Sequence, residues 1–183
     1  MFFYPWAQLK TKAQQGDLFV CHIVREAKPL FDPKKRLLEL RDHFVLQSNY
    51  SREIGRATDL GWFLIRHGSE LNSALLVKRI IWCVRTILIA RSAEEKEPTF
   101  SPLALANRSN STFARELLLE RHNRHAGASI LNNFRRFLVK ETTFDPFHSQ
   151  ADRAEFMKRF QSTSNDVALQ TILQSDKRQS IYR

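Results

Sequence analysis

The sequence predicts a mainly α fold, a helical bundle with a short N-terminal α/β remnant, on three observations. Apolar residues recur at helical spacing along most of the 183 residues. Glycine and proline number only 5 and 6, too few for the turns of a loop-rich all-β fold. The 43% apolar and 11% aromatic content is enough for the core of one medium domain and excludes global disorder.

The elements follow in order. Residues 2–5 read as a short extended piece closed by Pro5. Residues 6–15 are polar and helix-prone, with Gly16 as the expected C-cap, because glycine enters the left-handed region without steric cost. Asp17 then caps a helix whose apolar positions, Leu18, Phe19, Cys21, Ile23 and Val24, pack on both sides, and Pro29 ends it. Over 34–46, Leu37, Leu38, Leu40 and Phe44 oppose Lys34, Lys35, Arg36, Glu39 and Arg41, the pattern of an amphipathic helix. A longer helix starts at Ser48 or Ser51 and runs to about His67. Residues 68–73 make a tight turn. The helix over 73–92 is the most apolar and is placed at the centre of the bundle. Residues 93–99 form a charged loop. Ser101 with Pro102 opens a short helix, proline being suited to the first helical position. A polar linker spans 107–112. Helices follow at 113–122, 127–140 and about 150–173, and the polar end from 174 is expected to fray. Phe-Asp-Pro occurs at 31–33 and at 144–146, but the flanks differ, so these are two turn signals and not a repeat.

The net charge is +10. It permits binding to nucleic acid, to nucleotide phosphates or to an acidic partner, and it also serves solubility. Cys21 and Cys83 both lie in apolar helical patterns, so buried reduced thiols are expected rather than a disulfide. The apolar start, Met1 to Trp6, has no basic leader and no cleavage site, so no signal peptide is predicted. The helix from Leu75 to Ala90 carries Lys78, Arg79 and Arg85 and is not predicted to span a membrane. A soluble cytoplasmic protein is the expectation.

Those cations interrupt an otherwise apolar helix, and burying a cation is costly unless it is paired. Arg79, Arg85 and Arg91 stand six residues apart, and with Lys78 they are expected to line one broad stripe. That stripe is either solvated, or paired with Asp59, Glu53 or Glu70, or a cationic wall for phosphate or RNA. Arg121-His122-Asn123-Arg124-His125 reads as a basic helix end, where Arg121 and Arg124 can touch phosphate. No carboxylate completes a metal site with its histidines. Phe134-Arg135-Arg136-Phe137 reads as two core aromatics with two solvated arginines.

Gly16-Asp17-Leu18-Phe19-Val20-Cys21-His22-Ile23-Val24-Arg25-Glu26-Ala27-Lys28-Pro29-Leu30-Phe31-Asp32-Pro33 resembles the closing segment of a nucleotidyltransferase domain of the polymerase-β superfamily, of the minimal type. The resemblance implies a short strand at Pro29-Leu30-Phe31-Asp32. Arg52-Glu53-Ile54, Asp59-Leu60-Gly61-Trp62-Phe63-Leu64, the stretch Lys78 to Arg91, and Phe100-Ser101-Pro102-Leu103-Ala104-Leu105-Ala106 look similar to the helical domain that follows the catalytic one in some bacterial members. The implied organisation is the end of a nucleotidyltransferase-like domain over 1–33, a helical bundle over 34–175 and a frayed tail over 176–183. The implied role of the bundle is acceptor binding.

A complete relative would transfer a nucleotide from NTP with Mg²⁺, held by an Asp-x-Asp pair behind a Gly-Ser turn. No Asp-x-Asp pair occurs here. Glu95-Lys96-Glu97 lies in the charged loop, and Gly68-Ser69 reads as a helix–helix turn. The expectation is therefore a part that is not catalytic alone, whose partner is a missing catalytic domain or another protein, with no Mg²⁺ or NTP site of its own. A basic helical module for nucleic acid or a protein partner is the alternative. A third is a ribonuclease similar to the HEPN type, in which an Arg binds phosphate and a His cleaves by acid–base chemistry. Arg36 with His43 and Arg115 with His122 match its spacing, but in a chain with 19 arginines and 6 histidines such pairs also arise by chance.

Overall fold

The computed structural model describes residues 4–119, 128–142, 145, 147 and 151–179. Among them are ten α-helices and one 3₁₀ turn. In order these are α1 (Trp6–Gln14), α2 (Leu18–Glu26), α3 (Arg36–His43), α4 (Ser51–His67), the turn Gly68–Glu70, α5 (Ser73–Glu94), α6 (Pro102–Arg108), α7 (Thr112–Leu119), α8 (Ala128–Glu141), α9 (Arg153–Ser162) and α10 (Asp166–Gln179).

The described residues pack as two units. One takes in residues up to 50 together with 89–100, the other 51–88 together with 101 onward. By packing, residues 34–50 group with α1 and α2. The chain of α5 belongs to both.

In the first unit α1, α2 and α3 pack pairwise. Ala13, Val20, Val24 and Leu40 form its core, with Trp6, Leu9, Ile23 and Phe44 against them. The turn between α1 and α2 follows the sequence closely. Gly16 has φ +67°, and Asp17 Oδ1 accepts from the amides of Phe19 and Val20 at 3.0 and 3.1 Å. A Cβ at Gly16 would stand 2.6 Å from the Val45 carbonyl oxygen, so this turn needs glycine twice over. The buried Tyr50 hydroxyl donates to the Gly16 carbonyl at 3.0 Å.

The α/β remnant does not form among the described residues. Residues 29–32 have no strand beside them, and an unpaired strand leaves its amides and carbonyls unsatisfied. Asp32 serves a helix instead. Its carboxylate accepts from the amides of Arg36 and Leu37 at 2.8 and 2.9 Å, which starts α3 at Arg36 and not at 34. Lys35, at φ 50°, makes that turn.

In the second unit α4 packs on α8 and α9, α9 on α10, and α7 on both α6 and α8. Aromatic rings fill the interior. Phe63, Phe156 and Phe160 lie with centroids 5.5 to 5.9 Å apart. Phe134 and Phe137 are buried while Arg135 and Arg136 are exposed, as the sequence predicts. Gly61 lets α4 approach α8, where a Cβ would meet Leu138 Cδ1 at 2.7 Å.

The single helix expected over 150–173 is two. Ser164 turns left-handed at φ 50°, and Asn165 donates to the Arg56 carbonyl at 2.8 Å. Arg56 returns two bonds to the Thr163 carbonyl at 2.9 and 2.7 Å, which fixes the corner. The last helix continues to Gln179, past the expected fraying point.

Candidate functional site

The first turns of α5 carry the residues that the sequence singles out. Asn72 begins the helix, its Oδ1 accepting from the amides of Ala74 and Leu75 at 3.1 and 3.2 Å. Residues i, i+4 and i+8 share a face. Ser73, Val77 and Ile81 with Ala74 and Lys78 accordingly line one surface hollow of about 450 Å³. Lys78 is exposed there.

Arg79 leaves the helix about 100° further round. It is 8% exposed. Its Nη2 donates to Gln174 Oε1 of α10 at 3.2 Å, and its Nε has no hydrogen-bond partner. Burial pulls its pKa down. Cys83 is fully buried, and burial pushes its thiol far up, so it stays protonated. Both cysteines are free and buried.

The expected single stripe does not form. Six residues turn the chain about 600°, about 120° short of two turns, so Arg79, Arg85 and Arg91 point three ways. Arg85 is half-buried, and Arg91 is exposed and bonds Glu94 at 3.1 Å. Two of the carboxylates expected to pair with them have other partners. Asp59 accepts from Arg159 at 2.8 Å, and Glu70 from Arg153 at 2.9 Å and His67 at 3.1 Å.

One polar cluster carries no signal in the sequence. Arg66 Nη2 bonds Asp145 at 2.6 Å, and its guanidinium lies 5.5 Å from the Phe156 ring centroid. His67 sets its ring at 5.7 Å, edge to face, against the same phenylalanine. Trp62 Nε1, Arg66 Nη1 and His67 Nε2 are buried without hydrogen-bond partners. The spacing places these three on the last turns of α4. The charges around them balance, Arg66 with Asp145 and Arg153 with Glu70, so the cluster is a cross-brace in the core with room in its hydrogen bonding for water.

The ribonuclease-like pairs are placed as follows. Arg36 and His43 stand at opposite ends of α3. The Arg36 guanidinium lies 5.4 Å from the Trp6 ring centroid, and His43 Nδ1 is 2.7 Å from the Glu39 carbonyl oxygen. Arg115 is exposed on α7. His122, Arg121 and Arg124 lie outside the described residues. Glu95 and Glu97 are exposed in the loop after α5, and Gly68-Ser69 opens the 3₁₀ turn between α4 and α5.

Among the described residues no three His, Cys, Asp or Glu side chains come together to hold a metal ion. No helix among them is long and apolar enough to cross a membrane. No family model, no curated protein and no solved structure matches this chain.

Proposed function

We propose that this chain is the helical, acceptor-binding part of a nucleotidyltransferase-family protein whose catalytic head is supplied by another segment or another chain. The observation that supports this reading is the segment Pro29–Asp32. It resembles a strand in sequence, yet its two apolar side chains, Leu30 and Phe31, are 104% and 86% exposed. The segment is held at both ends. Arg41 donates to the carbonyls of Val24 and Ala27 at 2.8 and 3.3 Å on one side, and Asp32 caps α3 on the other. Apolar groups held in water at a fixed place mark a surface that another element covers. Mg²⁺ and NTP would enter with the head, which would bring the carboxylates.

The DNA upstream of the Met1 codon tests this directly. An open frame that encodes a Gly-Ser turn and an Asp-x-Asp pair in phase supports the reading, as does a neighbouring gene that encodes such a head. A stop codon in phase, with no such gene nearby, defeats it.

A second reading, a basic helical module that binds nucleic acid, is favoured by the exposed cations Lys78, Arg115, Arg135 and Arg136 and the +10 charge. Its binding to single-stranded RNA must weaken as salt rises, because released counterions fix a negative slope. Binding insensitive to salt removes it.

A further inference from the structure

Arg79 is a buried cation with an unfilled side. A guanidinium carries five N–H donors and no acceptor. Removing it from water is costly, and a nearby anion ordinarily repays that cost. Among the described residues none stands at Arg79. Among the described residues its one hydrogen bond is donated by Nη2 to a neutral amide oxygen, Gln174 Oε1, at the long distance of 3.2 Å, and the Nε–H is unpartnered. The group is 8% exposed. The thiol near it, Cys83, stays neutral because its own burial disfavours the thiolate. Asp59 and Glu70, which the sequence offers as partners, are held by Arg159 and Arg153.

The cover over this cation is movable. Gln174 is exposed on α10, so its amide can swing into solvent without opening the core. The next residue, Ser175, is 6% exposed, and its hydroxyl has no partner. It is a second unfilled donor on the same turn of α10.

We propose that Arg79 is the receptor of an oxyanion-binding site between α5 and α10. The ligand is a small anion, or the anionic end of a larger molecule, that presents two oxygens to the Nε–H and Nη2–H edge of the guanidinium. It displaces the Gln174 amide and exchanges a neutral hydrogen bond for charge-assisted ones. Phosphate and carboxylate share this chemistry. The site does not depend on the nucleotidyltransferase reading and stands if that reading falls.

The test follows the Arg79 Nε–H resonance of the intact chain by NMR, assigned by its disappearance in Arg79→Lys. Inorganic phosphate and acetate are each titrated against sodium chloride at matched ionic strength. A saturable shift with phosphate alone assigns the site to phosphate, and a saturable shift with acetate as well extends it to carboxylates. Gln174→Ala should tighten the binding about fivefold, since one neutral hydrogen bond no longer competes. Thermal melting supplies a second measure: phosphate should raise the melting temperature of the wild type and of Gln174→Ala by more than it raises that of Arg79→Met. The proposal is overturned if neither anion moves the resonance more than chloride does, or if phosphate stabilises Arg79→Met as much as the wild type.

Discussion

Asp59 illustrates how one residue depends on another. It is 1% exposed on α4, and it accepts a hydrogen bond from Arg159 Nε at 2.8 Å. Burial raises its pKa above the ordinary carboxylate value, and the Arg159 guanidinium pulls it back. A raised folded pKa means that this group favours folding most below the ordinary carboxylate range, and that the benefit is lost as pH rises through the folded value. Arg159→Ala enlarges that loss, because a buried carboxylate must then ionise alone. The expected cost is about 1–3 kcal/mol near neutral pH, and it should shrink as pH falls toward the carboxylate range. Urea melts at the two pH values check this. An equal loss at both would mean that Arg159 contributes packing and not charge. The partner of Asp59 is not legible in the sequence, since 100 residues separate the two. The caps are legible, because Asp17 and Gly16 act on immediate neighbours, where local rules suffice.

Elements meet at two places that can be tested separately. Gly61 sits where α4 crosses α8, and a Cβ there meets Leu138 and Phe134, both fully buried. Gly61→Val should therefore cost about 1–3 kcal/mol by overpacking, seen as a lower urea midpoint. Gly61→Ala should cost less, since alanine recovers about 1 kcal/mol of helix propensity over glycine. A neutral Gly61→Val would show that the crossing is looser than the structure has it.

The start of α3 is the other place. The amides of Leu37 and Arg36 hold the Asp32 carboxyl below its usual pKa. A lowered folded pKa gives a contribution that is present above the ordinary carboxylate range and lost as pH falls through the folded value. Asp32→Ala should speed hydrogen exchange at Arg36 and Leu37 at neutral pH and have little effect in acid. Unchanged exchange would assign the helix start to Lys35 alone. Helix positions were legible wherever apolar spacing repeats. The break at Ser164 was not, because Arg56 and Asn165 make it from opposite ends of the sequence.

At the scale of the whole molecule, a core and an exposed apolar pair obey different rules. Leu30 and Phe31 touch little, so replacing both with asparagine should leave stability within about 0.5 kcal/mol of the wild type. Under the proposed function, the same double variant should fail to associate with the proposed catalytic head, which a pull-down reads out against any upstream segment or neighbouring gene product found to encode it. A large drop in melting temperature would instead place these side chains within the fold of the first unit.

The sequence by itself determined the helical class, the cap at Asp17, the helix start at Pro102, the buried aromatics at Phe134 and Phe137, and the absence of an Asp-x-Asp pair. These rest on composition and on contacts between near neighbours, which periodicity carries. Only the tertiary structure decided that Pro29 to Asp32 stays unpaired among the described residues, and that Arg79 is buried beside a neutral amide. Each depends on what stands opposite a residue after the chain has folded. A strand needs a neighbour, a charge needs a partner, and neither is fixed by spacing along the chain.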